Sequence, residues 1–76
     1  MHTEEYLIKF GLNERQIIAV MYVKERGRIT NKEYQDINNV SNKTAYLELS
    51  NTVGRAIFKV EGKGKSTTYT LKVTKR

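Results

Sequence analysis

Residues 27–54 read GRITNKEYQDINNVSNKTAYLELSNTVG, and this stretch decides the fold. Thr30 and Ser41 are both of the residue types that cap helix N-termini. Glu33 stands three residues after Thr30 and completes a capping box, so a short helix starts there. Tyr34 and Ile37 are its expected inward side chains. Asn38-Asn39 break that helix and make a tight turn, because asparagine tolerates turn conformations. Ser41 then caps a longer helix from Asn42 to about Val53. Ala45, Leu49 and Val53 lie four apart and fall on one face. Gly54 is the expected exit. Ahead of Thr30, Arg28-Ile29 reads as a two-residue extended segment. Two short helices joined by a tight turn form a helix-turn-helix unit.

Upstream, Asn13 and Gln16 form a second capping box, with Leu12 as a hydrophobic staple before the cap. That helix runs to about Arg26, and Gly27 ends it. Gln16, Ala19, Val20 and Val23 make one stripe at helical spacing. Ile17, Ile18, Met21 and Tyr22 make further apolar surface on other sides, so this helix needs cover on more than one face. Thr3 to Phe10 reads as a short additional helix stopped by Gly11. Downstream, Ala56 to Val60 is a short apolar strand and Glu61-Gly62-Lys63-Gly64-Lys65 a glycine-rich turn. Thr67, Tyr69, Leu71 and Val73 then alternate with Thr68, Thr70 and Lys72, the period of a strand with one buried face. The two strands form a hairpin. The expected fold is therefore α+β and mainly α: a winged helix-turn-helix, with a three-helix core, a C-terminal β-hairpin wing and a short extra N-terminal helix. Residues 1–11 form the N-terminal helix and connector, and residues 12–76 the winged unit.

The chain has 76 residues, no cysteine, no proline and one histidine, His2. A chain this short buries only about 60–65% of its unfolded surface and has no room for a cofactor-binding cleft. Without cysteine there is no disulfide scaffold, zinc finger or thiol nucleophile. No nucleophile–base pair or metal cluster is evident, so no enzyme activity, cofactor, metal or small-molecule ligand is expected. No apolar run is long enough for a membrane span and nothing resembles a signal peptide, so a soluble cytoplasmic protein is expected.

The charge is unevenly spread. Formal net charge is +6. Through Gly54 there are seven basic and seven acidic residues, whereas Arg55 to Arg76 holds seven basic residues and one acid, Glu61. A field of that sign favours a polyanion. A helix of about ten residues fits the DNA major groove, with residues near its N-terminus on the base edges. Here these are Asn42, Lys43, Thr44 and Tyr46. Asn42 suits adenine, Lys43 guanine or a phosphate, and Thr44 a thymine methyl or a phosphate. In the hairpin turn, Lys63, Lys65, Ser66 and Thr67 offer two amines and two hydroxyls on a loop flexible enough to follow phosphates, contacts that fix position rather than sequence.

The segments Glu5-Tyr6-Leu7, Leu12-Asn13-Glu14-Arg15-Gln16, Gly27-Arg28-Ile29-Thr30-Asn31-Lys32-Glu33-Tyr34, Val40-Ser41-Asn42-Lys43-Thr44-Ala45 and Gly62-Lys63-Gly64-Lys65-Ser66-Thr67 together carry a family resemblance. In this order and spacing the chain resembles the C-terminal winged-helix module of bacterial and archaeal transcriptional regulators that are often labelled RecG-related. The resemblance covers Glu5 to about Leu71. In those proteins a Schlafen-like front half precedes the module, so this chain reads as an excised domain. The resemblance implies double-stranded DNA binding and transcription regulation. Three positions depart from the family. It tends to have arginine at Leu47, leucine at Thr52 and Gly-Ile-Leu at Ala56-Ile57-Phe58. Leu47 weakens the DNA reading most, and with Lys43 offset by Glu48 the recognition helix has zero formal charge.

The competing expectation is a winged-helix protein-interaction or dimerisation module without direct DNA readout. A half-site reader also gains affinity by pairing, and the family tends to be polar at Ile17, Ile18 and Met21. Two covers are expected together: the first helix folds back to lay Tyr6, Leu7 and Phe10 on Ile17 and Met21, and a homodimer interface forms from Tyr6, Leu7, Phe10, Ile17, Ile18 and Met21 with the N-terminal helices at it.

Overall fold

The computed structural model describes residues 11–72. The expected N-terminal helix, with Tyr6, Leu7 and Phe10 of the expected interface, lies outside the described residues, as does Val73. Helix α1 spans Glu14–Arg26, α2 Asn31–Asn38 and α3 Asn42–Gly54. Strand β1 spans Phe58–Glu61 and β2 Thr68–Leu71, with a 3-10 turn at Gly64–Ser66 between them. The fold is a mainly helical α+β unit of winged-helix type.

Each helix start follows from its cap. The Asn13 side chain accepts from the Gln16 amide at 2.8 Å, and Gln16 Oε1 accepts from the Asn13 amide at 3.0 Å. Thr30 and Glu33 repeat the exchange at 3.1 and 2.9 Å. Ser41 Oγ accepts from the Thr44 amide at 3.2 Å. Gly27 closes α1 at φ 98°, and its amide donates to the Val23 carbonyl at 2.7 Å. Asn39 closes α2 at φ 54°, left-handed as the tight turn requires.

The end of α3 differs from expectation. Gly54 stays in the helix, and Ala56 takes the left-handed conformation instead, at φ 64°. Its amide donates to the Val53 carbonyl at 2.9 Å, and Ile57 donates to Thr52 at 3.2 Å. These bonds satisfy carbonyls the helix leaves open and turn the chain back, so the first strand starts at Phe58 rather than Ala56.

β1 and β2 pair antiparallel, with Phe58 opposite Leu71 and Val60 opposite Tyr69. The Arg28-Ile29 segment joins as a third, single-bridge element. Ile29 and Tyr69 exchange both backbone hydrogen bonds, at 2.9 and 2.8 Å. This bridge ties the hairpin to the chain immediately ahead of α2.

The core forms where α1, α2, α3 and the hairpin meet. Ala19, Val20 and Val23 pack with Ile29, Tyr34, Ala45, Leu49, Ile57, Phe58 and Tyr69. Burying each large member contributes about 1.5–3 kcal/mol. Helix α1 touches α2, α3 and β2, which is the several-sided cover its sequence demands. Ile17 is therefore absorbed into the core, Met21 is half-buried against it, and only Ile18 remains exposed. Ile37, expected to point inward, is instead at the surface, because Tyr34 fills the inward side of a two-turn helix.

Two polar side chains join α1 to α3. Gln16 is buried, and its Nε2 donates to the Glu48 carbonyl at 3.0 Å, Asn51 Oδ1 at 3.0 Å and Thr52 Oγ1 at 3.1 Å. The Thr52 hydroxyl is both acceptor and donor here, taking the Gln16 amide and donating in turn to the Glu48 carbonyl at 2.8 Å. The Glu48 carboxylate accepts from Asn13 Nδ2 at 3.0 Å, from Tyr34 Oη at 2.6 Å, and from the Arg15 guanidinium, with which it forms an ion pair.

The Arg15 hydrogen bond holds the Glu48 carboxyl below the usual carboxylate range; partial burial opposes this, and Tyr34 and Asn13 support it. A lowered folded pKa contributes stability above the unfolded value of about 4.3 and loses it as pH falls through the folded one. Stability is therefore expected to fall on acidification below about pH 4.3. Glu48→Gln should remove much of that dependence and cost about 1–3 kcal/mol at neutral pH, read from urea unfolding midpoints across pH.

Candidate nucleic-acid interface

The packing just described decides which side of α3 is free. Ala45, Leu49 and Thr52 face the core, and Glu48 faces Arg15 and Tyr34. The opposite side exposes Asn42, Lys43, Tyr46 and Leu47. Residues four apart stack along a helix, so these form two ridges, Asn42–Tyr46 and Lys43–Leu47. Glu48 is spent on Arg15 and does not offset Lys43 there. The zero formal charge of the helix is thus not the charge of its exposed ridge, which is positive.

Thr44 is half-buried beside the Ser41 cap: its amide donates to Ser41 Oγ, and its hydroxyl accepts from Ser41 at 3.2 Å and keeps its own hydrogen to donate.

Between α3, the start of α2 and the hairpin turn lies a groove of about 620 Å³. Asn42 and Tyr46 line one wall, Asn31, Lys32 and Gln35 another, and Lys65, Thr67 and Tyr69 the third. Among the described residues no carboxylate lines it. Of the expected residues, the groove brings together Asn42, Tyr46, Lys65 and Thr67. Lys43, Lys63 and Ser66 are exposed outside it. Tyr69 forms its floor; burial pushes its phenol up, and the neighbouring Tyr46 adds to the shift.

Asn31, Lys32 and Gln35 were not legible as site residues. What places them is the Ile29–Tyr69 bridge, which lays the start of α2 beside the hairpin turn. The only sequence signal was the Arg28-Ile29 extended pair, and nothing local to it names its partner.

The turn carries two backbone hydrogen bonds of its own. The Ser66 amide donates to Lys63 at 2.9 Å and the Thr67 amide to Gly64 at 3.2 Å. On the strands, Lys59 pairs with Glu61 at 3.3 Å, which leaves the tip amines, Lys63 and Lys65, without a carboxylate partner among the described residues. Among the described residues no group of side chains suits a metal ion, and no helix is long and apolar enough to cross a membrane.

Gly62 holds the tip in shape. It sits at φ 81°, and a Cβ there would lie 2.4 Å from the Ser66 carbonyl oxygen. Gly64 is also left-handed, at φ 55°, but a Cβ there meets nothing within 4 Å. Gly62→Ala is expected to cost more than the about 1–2 kcal/mol of left-handed strain, and Gly64→Ala only about that much. Thermal unfolding of the two variants checks the order, with amide shifts for Gly62→Ala concentrated in the turn. Comparison of the chain with protein-family models, with curated proteins and with solved structures finds no match.

Proposed function

We propose that this chain is a DNA-binding winged-helix module of a cytoplasmic transcriptional regulator, with α3 in the major groove of a duplex and the hairpin turn on the phosphates. The observation that carries the reading is the groove beside α3, lined among the described residues by Asn42, Tyr46 and Lys65 and by no carboxylate, with Lys43 and Lys63 exposed outside it. A helix ridge flanked by cations suits a groove flanked by phosphates. Asn42 carries a side-chain amide that can pair bidentately with adenine.

A second reading has its own observation. Asn38 Nδ2 donates to the Arg15 carbonyl at 3.3 Å, and Tyr22 lies beside Glu33, so α1 and α2 run antiparallel. On these neighbouring helices Ile18 of α1 and Ile37 of α2 are 46% and 36% exposed. A homodimer through this seam would cover both, in place of the interface expected around Ile17.

Duplex binding is tested by the salt dependence of affinity. Each phosphate contact contributes a slope of about −0.9, so Lys63→Ala with Lys65→Ala should lower the slope of log affinity against log salt by about two. Unchanged affinity and slope in low salt would remove the turn from the interface. The dimer is tested by sedimentation at micromolar concentration. Ile18→Lys with Ile37→Lys should convert a dimer to a monomer with little change in melting temperature, and a wild type that sediments as a monomer throughout excludes the seam as an interface.

A further inference from the structure

Leu47 is 55% exposed and Tyr46 57%, side by side on the free ridges of α3. The core does not use Leu47, which lies outside the clusters that hold the domain together. Leu47 is an apolar side chain on the same free side of α3 as Lys43, so a partner for this surface must offer an apolar group together with negative charge. A DNA major groove meets that description at one kind of base pair. The thymine C5 methyl is the apolar group displayed on the groove floor, and phosphates line both sides.

From this we infer that α3 selects A·T base pairs through thymine methyl groups packed on Leu47, with Tyr46 beside it. The inference rests on the DNA-binding reading above. Leu47 can neither give nor accept a hydrogen bond. Set against guanine O6 and N7 or the cytosine amino group, it would strip water from polar atoms and return nothing. Against a thymine methyl it loses no hydrogen bond and removes apolar surface from water. Asn42 on the neighbouring ridge points the same way, since its amide matches adenine N6 and N7. Lys43, one turn from Leu47, reaches toward the margin, where a phosphate contact adds affinity without sequence preference. Discrimination in this arrangement resides in a methyl group, and affinity in the amines.

The test uses two duplexes that differ only in that methyl. One is an A·T-rich duplex and the other is the same duplex with every thymine replaced by uracil, which keeps the base pairing and the phosphates. The whole chain should bind the uracil duplex about fourfold more weakly for each methyl covered, the factor that roughly 0.8 kcal/mol of apolar transfer gives. Leu47→Ala and Leu47→Gln sit at an exposed helix position and should fold as the wild type does. Both should bind the two duplexes alike, with the wild-type salt slope. Equal wild-type affinity for the two duplexes, with salt-dependent binding retained, overturns the thymine inference and leaves the DNA-binding reading in place. A wild-type preference that persists in both Leu47 variants overturns the assignment to Leu47. Failure of the wild type to bind either duplex at low salt overturns the inference and the DNA-binding reading together.

Discussion

The Glu48 carboxylate accepts hydrogen bonds from the cap of α1, from Arg15 within α1 and from Tyr34 of α2, while its own helix is α3. One side chain thus touches all three helices. Its charge is partly withdrawn from water, a cost of several kcal/mol for a fully buried ion, and only donors on several sides make that tolerable. The arrangement is directional in a way that apolar packing is not. Leu49 and Ala45 would bury well over a range of helix rotations, but three donors at fixed positions admit one. Gln16 repeats the device one turn along, with its amide shared among the Glu48 carbonyl, Asn51 and Thr52. The rotation of α3, and hence which residues it exposes, is set by these polar contacts.

That rotation separates the charges. The acid of α3 is turned toward Arg15, and the base of α3, Lys43, is turned to solvent. In the hairpin, the strand lysine Lys59 is paired with Glu61, and the tip lysines are free of carboxylates among the described residues. A chain whose first two thirds are neutral by count therefore still presents a cationic surface that starts on α3 and continues to the hairpin tip.

Much of this was legible in the residues. Caps at Asn13, Thr30 and Ser41 depend on contacts within four residues, and local chemistry fixes them. The α1 stripe and the alternation around Tyr69 are likewise properties of adjacent sequence. Long-range pairing was not legible. Glu48 counted as a surface charge because its partners lie far away in the chain, and Ile37 counted as core because a two-turn helix gives too little periodicity to orient it. At Ala56, composition suggested a strand start, while the backbone there is left-handed. Glycine is the residue that adopts such a φ without strain, so an alanine there gives no local sign of the turn.

The Ile29–Tyr69 bridge has a kinetic side. It joins points far apart in a chain whose other contacts are mostly local helix turns and a tight hairpin. Helices and hairpins form in about microseconds, but closing a long loop costs entropy that local structure does not repay. Two backbone hydrogen bonds and the burial of Tyr69 and Ile29 repay it, and only after both partners have their local shape. The groove beside α3 exists only once that closure is made, since one of its walls belongs to the start of α2 and another to the hairpin turn. Amide exchange at Ile29 and Tyr69 therefore reports directly on the closure that forms the groove.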